Sequence, residues 1–273
     1  MQPMTMLFAM AGVNLDKAES ENVAVPRVRK IIDSPEWESF YRKCEIKLDK
    51  WVEQIRNEFP NSGIEKGFLL RNWGDGIFYC GNMIHIPYFD ASIGEDLSEA
   101  IIKARTIIWG LTQFLRNNVP GFENSHLIQT FDLGIRETRR IKGDYTLTYE
   151  DVIDAQRHED DIVLNGYFVD IHDYHGSWLH APDKGTQVKN HGAYGIPFRC
   201  LLPKDVENVI VAGRCLSSTH VANSSARVMG TCMGMGEAAG TAAALSVKDG
   251  IHPRNIDFGS LQKTLESNGS IIR

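Results

Sequence analysis

The 273-residue sequence predicts a mixed fold, α+β with α/β character: long helices, mixed strands and a closing strand–loop–helix unit. Three observations carry this expectation. Two long stretches, 34–59 and 96–118, repeat apolar side chains at helical spacing. Residues 5–13 and 67–90 read as strands between turn residues. Residues 208–245 join a β-branched run, a Ser/Thr-rich loop and a Gly/Ala/Met segment almost free of charge.

The elements follow in order. Thr5–Val13 is a buried strand closing at Gly12. Ser34-Pro35-Glu36 opens a helix with a capping Ser, Pro at the first position and an acid in the first turn. Trp37, Phe40, Tyr41, Cys44, Leu48, Trp51, Val52 and Ile55 carry it to Phe59. Strands over Gly67–Asp90 precede a second helix, Asp96–Asn118, stopped by Pro120-Gly121. Ser125–Thr148 is extended and broken by the charged run Arg136-Glu137-Thr138-Arg139-Arg140. Thr148 and Asp151 form a capping-box variant opening a short helix to Gln156. Ile162–Ile171 is a strand, and 172–196 is a loop. Asn208–Gly213 is a strand, Ala226–Val247 a buried helix of small residues, and Asp257–Glu266 a last short helix. The chain divides into a helical region, 1–125, and a region of strands ending on the small-residue helix, 126–273.

Composition narrows the function classes. A net charge of -6 argues against nucleic acid as the main partner, because phosphate binding needs a basic face. No apolar run approaches the ~20 residues of a membrane span. The first ten residues are apolar but lack a basic segment and a cleavage site, so they are not read as a signal peptide. Their immediate apolar character suggests entry from mid-fold, with residues once preceding Met1. Five scattered cysteines with no C-x-x-C pair read as reduced thiols in a cytoplasmic protein.

Four constellations could carry chemistry. Gly234-Met235-Gly236-Glu237-Ala238-Ala239-Gly240 resembles a nucleotide fingerprint, but no strand directly precedes it; close backbone packing on a helix is the simpler reading. Arg136, Arg139 and Arg140 offer guanidinium forks suited to phosphates, carboxylates or electron-rich rings; a solvated strand edge is the alternative. Asp170, His172, Asp173 and His175, with His180 and His191, supply metal-ligand types without a matching spacing; His172 could instead act on substrate or cofactor, or the segment could be structural. Arg214, Ser217, Ser218, Thr219, His220, Asn223, Ser224, Ser225 and Arg227 line the strand-to-helix connection. There a ligand, or ordinary capping, must satisfy a polar loop. A strand leading through such a loop into a helix N terminus suits an anionic or electron-rich group. No G-x-S-x-G elbow is present, which argues against a serine hydrolase.

The segment VENVIVAGRCLSSTHVANSSARVMGTCMGMGEAAGTAAAL resembles the C-terminal flavin-binding part of the FAD-dependent oxidoreductases often labelled xanthan-lyase-like. GFEN (121–124), IRETRRIKGDYTLTYEDV (135–152), VDIHD (169–173) and YGIPFRCLLPKDVENVIVAGR (194–214) extend the resemblance. MQPMTMLFAMAGVN is similar to a mid-chain strand of that family. The resemblance implies a mixed-sheet substrate region (1–125) plus the C-terminal part of a Rossmann-like flavin domain (126–273), with FAD as cofactor and a small organic substrate, such as a sugar derivative. It implies that Gly213 and Arg214 approach the ribityl and pyrophosphate groups, and that Ser217 and Ser218 are among the cofactor-binding residues. It also implies that a helix starting near Met233 and Gly234 aims at the flavin pyrimidine edge. Arg227, Arg136 and Arg139 would sit near the isoalloxazine or substrate, and His172 and His220 would move protons beside hydride transfer. The family's opening G-x-G-x-x-G turn has no counterpart in this sequence, so the expectation includes a missing N-terminal segment, or self-association that covers an exposed apolar face. Two other readings stay open: a non-catalytic or partner-dependent binding module, and a metal-dependent hydrolase built on Asp170, His172 and His175.

Overall fold

The computed structural model describes residues 2–27, 43–60, 67–72, 77–172 and 185–272. Two compact units divide the described chain between Ile135 and Arg136. Its mixed helices and antiparallel sheets make it an α+β protein.

The first unit is built on a six-stranded sheet of order β2-β3-β4-β5-β1-β6. Its strands are β1 (Met4–Ala11), β2 (Ala24–Arg27), β3 (Lys43–Lys47), β4 (Gly67–Asn72), β5 (Ile77–Ile86) and β6 (His126–Gly134). β1 is the expected opening strand. It is flanked on both sides, by β5 and β6, and so buries Met4, Met6, Phe8, Ala9 and Met10 rather than alternating. Because β6 pairs with β1, the first unit continues past the 125/126 boundary expected from sequence.

Among the described residues, three helices belong to this unit: α1 (Leu15–Ser20), α2 (Val52–Glu58) and α3 (Gly94–Asn118). The α3 helix matches the expected second helix and lays Ala100, Ala104, Ile108, Leu111 and Leu115 into the core beside the sheet. Gly110 leaves room for the Phe59 ring, which meets Phe114 edge-on at 6.5 Å. The expected helix 34–59 is corrected. Residues 34–42 lie outside the described residues, 43–47 form β3, and the part of this stretch that is helical starts at a 3-10 turn, Asp49–Trp51, leading into α2. Ile46 and Leu48 are buried on either side of exposed Lys47, an alternation of period two. Pairing of β3 with both β2 and β4 then overrides the helical periodicity.

Among its described residues, the second unit holds β7 (Asp161–Asn165) and β8 (Tyr194–Pro197), an antiparallel pair, with four helices. These are α4 (Tyr149–Ile153), α5 (His220–Ala226), α6 (Met229–Asp249) and α7 (Phe258–Ser267). The capping box of α4 forms as expected: Asp151 N–H donates to Thr148 Oγ1 at 3.2 Å and Thr148 N–H donates to Asp151 Oδ2 at 2.8 Å. The helix is shorter than expected, because Ala155 turns into the left-handed region at φ 55°. The strand expected over 162–171 ends at Asn165, whose Oδ1 accepts from Tyr167 N–H at 2.9 Å and turns the chain.

Two further elements are corrected here, the 208–213 strand and the 226–247 helix, and the Rossmann-like sheet is not confirmed. Asn208–Gly213 is irregular, not a strand, and Asn208 itself has φ 59°. Its backbone is tied to the core by Val211 N–H donating to Leu201 O at 2.9 Å. A strand needs a paired neighbour, and none lies beside it among the described residues. Every strand pairing described is antiparallel, so the parallel sheet of a Rossmann-like domain is not seen among the described residues. The long helix expected over 226–247 is divided at Arg227–Val228, so α6 starts at Met229.

Candidate functional site

The second unit positions its polar side chains by stitching two irregular segments together. The 136–148 segment runs beside 199–219 through Ile141 N–H to Cys215 O at 3.0 Å, Asp144 N–H to Leu202 O at 3.1 Å and Leu147 N–H to Ser217 O at 3.1 Å. Arg140 then reaches across: its Nε donates to Ser218 O at 3.0 Å and its Nη1 donates to Glu137 Oε2 at 2.9 Å. Glu137, whose side chain is 0% exposed, also takes His220 Nδ1 at 2.9 Å on the same oxygen. His220 is the first residue of α5 and is 40% exposed.

A second group surrounds Asp170. Tyr167 Oη donates to Asp170 Oδ2 at 3.3 Å, His172 Nε2 lies 3.2 Å from Oδ1, and Arg227 Nη2 lies 3.5 Å from Oδ2. Arg227 Nη2 also donates to Asp170 O at 2.9 Å. Burial works against the Asp170 carboxylate, but the hydrogen bond and charge of His172 and the charges of Arg227 and Arg136 outweigh it and hold its pKa below the usual range. Burial pulls the Arg136 guanidinium down to about 10, and neighbouring Arg227 adds to that, with Asp170 and Tyr167 opposing. Arg227 is lowered mainly by burial, against the charges of Asp170, Tyr167 and Glu137. The charge of Glu137 also acts on Arg227, which couples the two groups electrostatically. Tyr167 is raised by burial and then by Asp170.

A third feature is the start of α6. Its cap residue, Val228, makes no side-chain cap bond, and Met229 and Gly230 are exposed. A Cβ added at Gly230 meets nothing within 4 Å. Arg227 ends α5 immediately before it, and Arg214 lies within electrostatic reach of Arg227. Uncapped first-turn N–H groups that directly follow Arg227 favour an anionic or electron-rich ligand group.

The residues expected from sequence are distributed as follows. Arg136, Arg227 and His172 gather at Asp170, and His220 joins Glu137. His172 is buried rather than open to solvent. Arg139 is exposed. Gly213, at φ 83°, opens the 3-10 turn Gly213–Cys215, and the Arg214 carbonyl accepts from Asn223 Nδ2 at 3.1 Å. Ser217 is buried, its Oγ 3.0 Å from Thr146 Oγ1, and Ser218 Oγ accepts from Asn223 Nδ2 at 3.3 Å. Ordinary structural bonding thus occupies both serines. Buried Asn223 Oδ1 has no hydrogen-bond partner among the described residues. Met233 and Gly234 lie one turn inside α6, not at its start, because the helix begins at Met229. A Cβ at Gly234 would lie 3.1 Å from Val163 Cγ2, while Gly236 and Gly240 face open space. The glycine series therefore serves close packing at Gly234.

Sequence reasoning did not give Glu137 and Tyr167 roles of their own. The signal for Glu137 was an acid set among three arginines; Tyr167 carried none. No group of three metal-ligating side chains occurs among the described residues, and His175 lies outside them. No described helix is long and apolar enough to cross a membrane.

The described residues form an α+β chain in which Arg227 directly precedes an uncapped, open helix start. A family model described as FAD dependent oxidoreductase matches residues 1–265, and the chain belongs to that family, whose cofactor is FAD. Neither the curated proteins nor the solved structures contain a match.

Proposed function

We propose that the second unit carries the reaction centre of an FAD-dependent oxidoreductase acting on a small organic substrate such as a sugar derivative. The observation that carries this reading is the uncapped, open first turn of α6 with Arg227 directly before it. When bound, FAD supplies the hydride-accepting ring, and negative charge on its pyrimidine edge suits a helix N terminus. Residues 229–231 would meet that edge, rather than Met233 and Gly234, and Gly213 and Arg214 would approach the ribityl and pyrophosphate groups. The open side of Gly230 leaves room for a ligand at this place.

In this reading His220, exposed on one side and bonded to Glu137 on the other, exchanges the proton that accompanies hydride transfer. Arg136 and Arg227 face the substrate or the flavin ring, and Arg139 lies at the exposed rim. His172 is buried against Asp170, which supports a holding role better than proton exchange. Thiols that are free at Cys80, Cys200, Cys215 and Cys232 support a reducing, cytoplasmic setting.

The test is to mix the purified chain with FAD, remove free ligand by gel filtration and record the visible spectrum. A retained, shifted flavin band is expected. A colourless protein would mean that this chain does not hold FAD by itself.

A further inference from the structure

We infer that Glu137 is a positioning residue that fixes His220 in the Nδ1–H tautomer and leaves its Nε2 as the proton acceptor facing outward. The inference rests on the proposed function for what the proton is used for, but not for the tautomer itself. An ionised carboxylate only accepts hydrogen bonds, so a 2.9 Å contact from Nδ1 to Glu137 Oε2 places the ring proton on Nδ1. The second ring nitrogen then carries the lone pair.

The brace around Glu137 explains why its carboxylate stays put. Its side chain is fully buried, so its charge requires partners. Arg140 Nη1 donates to the same Oε2 at 2.9 Å, and Arg140 Nε is pinned to the Ser218 carbonyl at 3.0 Å. Arg140 therefore ties the carboxylate to the backbone two residues before His220. The Thr219 hydroxyl accepts from Ala222 N–H at 3.3 Å and fixes the start of α5, so the imidazole hangs from a defined backbone. On the outer side, Nε2 makes no hydrogen bond among the described residues, and the His220 side chain is 40% exposed. One nitrogen is thus held by protein and the other is presented to solvent or substrate. This is the arrangement in which a buried carboxylate orients an imidazole for proton transfer.

Uniform ¹⁵N-histidine labelling of the full chain, with long-range ¹H–¹⁵N correlation at a pH where imidazoles are neutral, reads the tautomer directly. His220→Asn assigns the signal. The wild-type protein is expected to show a protonated-type Nδ1 and a pyridine-type Nε2 at His220. Glu137→Leu is expected to lose that pattern in favour of Nε2–H, and Glu137→Gln, which keeps an acceptor oxygen at the same place, to retain it. A wild-type spectrum with the proton on Nε2 overturns the inference without reference to any variant, so a Leu variant that does not fold leaves the test intact. An unchanged tautomer in folded Glu137→Leu overturns it equally. The measurement needs no FAD, so failure of the chain to hold FAD is a separate result.

Discussion

Arg199 grips Asp160 through two parallel contacts, Nε to Oδ2 at 3.0 Å and Nη2 to Oδ1 at 2.9 Å, and its own backbone N–H adds a third at 3.1 Å. Asp160 is buried just before β7, and Arg199 sits in the 3-10 turn after β8, so the fork locks one end of the hairpin.

Removing the fork is expected to cost about 2 kcal/mol in Arg199→Met, because a buried carboxylate is left with one backbone donor. The figure is kept below that of a fully buried pair because the Arg199 side chain is 41% exposed. Arg199→Lys keeps the charge but not the two-pronged geometry, so an intermediate loss is expected. Urea unfolding measures both; equal midpoints for all three chains would show that the fork adds nothing.

Gly195 on β8 lies against the carboxyl group of Asp161 on β7, and a Cβ there would overlap it. Asp161 cannot swing away freely, since its Oδ2 takes Arg157 Nε at 2.8 Å and His158 N–H at 3.0 Å. Gly195→Ala is therefore expected to lower stability by about 2–3 kcal/mol. Combined with Asp161→Ala the losses should be less than additive, because the smaller side chain removes the overlap. Thermal unfolding of the two single variants and the double variant gives the coupling; strict additivity would refute the steric cause.

Asp170 makes stability depend on pH in a definite sense. Its folded-state pKa is lowered by His172, Arg227 and Arg136. A lowered carboxylate contributes stability that is present above the unfolded value, about 4, and is lost as pH falls through the folded value. Acid titration of unfolding should thus show stability falling below about pH 4, and Asp170→Asn should flatten that fall. A parallel pH dependence in the two proteins would remove Asp170 as its source.

The sequence made α3, α7 and the interior strand β1 legible, and the reasons for the exceptions are physical. α3 and α7 carry strong one-face patterns, and the Thr148–Asp151 box is a local signal read without tertiary context. β3 was hidden because Cys44, Leu48, Trp51 and Ile55 fit a helix as well as a strand, and pairing with β2 and β4 decides between them. Val209–Val211 has strand composition, but composition supplies no neighbour to pair with. At the site, the arginines were legible as a cluster in 136–140. Their partners were not, because Glu137 meets His220 across 83 residues and Asp170 meets Arg227 across 57.

One face of α6 exposes Met229 at 83%, Met233 at 75% and Val247 at 84%, with open glycines at 236 and 240 between them. These positions recur at spacings of four, three, four and seven, which keeps them on one face of the helix as an apolar stripe. Self-association is the expected way to cover it, and sedimentation velocity should show a species that grows with concentration. Met233→Lys combined with Val247→Lys should return it to monomer without loss of helix by circular dichroism. A monomeric wild-type chain at every concentration would exclude the stripe as a self-contact.

Gly230 separates stability from cofactor binding. Its side of α6 is open, so Gly230→Glu meets no steric obstacle. An acid in the first turn of an uncapped helix favours the fold, by about 0.3–1 kcal/mol. The same charge stands where the proposed flavin edge would lie and competes with it for the helix N terminus and for Arg227. Stability should therefore stay level or rise while FAD retention falls, by about tenfold for a repulsion near 1.4 kcal/mol. Equilibrium dialysis with FAD, run beside thermal unfolding, reads both quantities. If retention and stability fall together, the substitution has damaged the helix. If FAD binds Gly230→Glu as tightly as wild type, the flavin edge is not at the start of α6, and the proposed site must move.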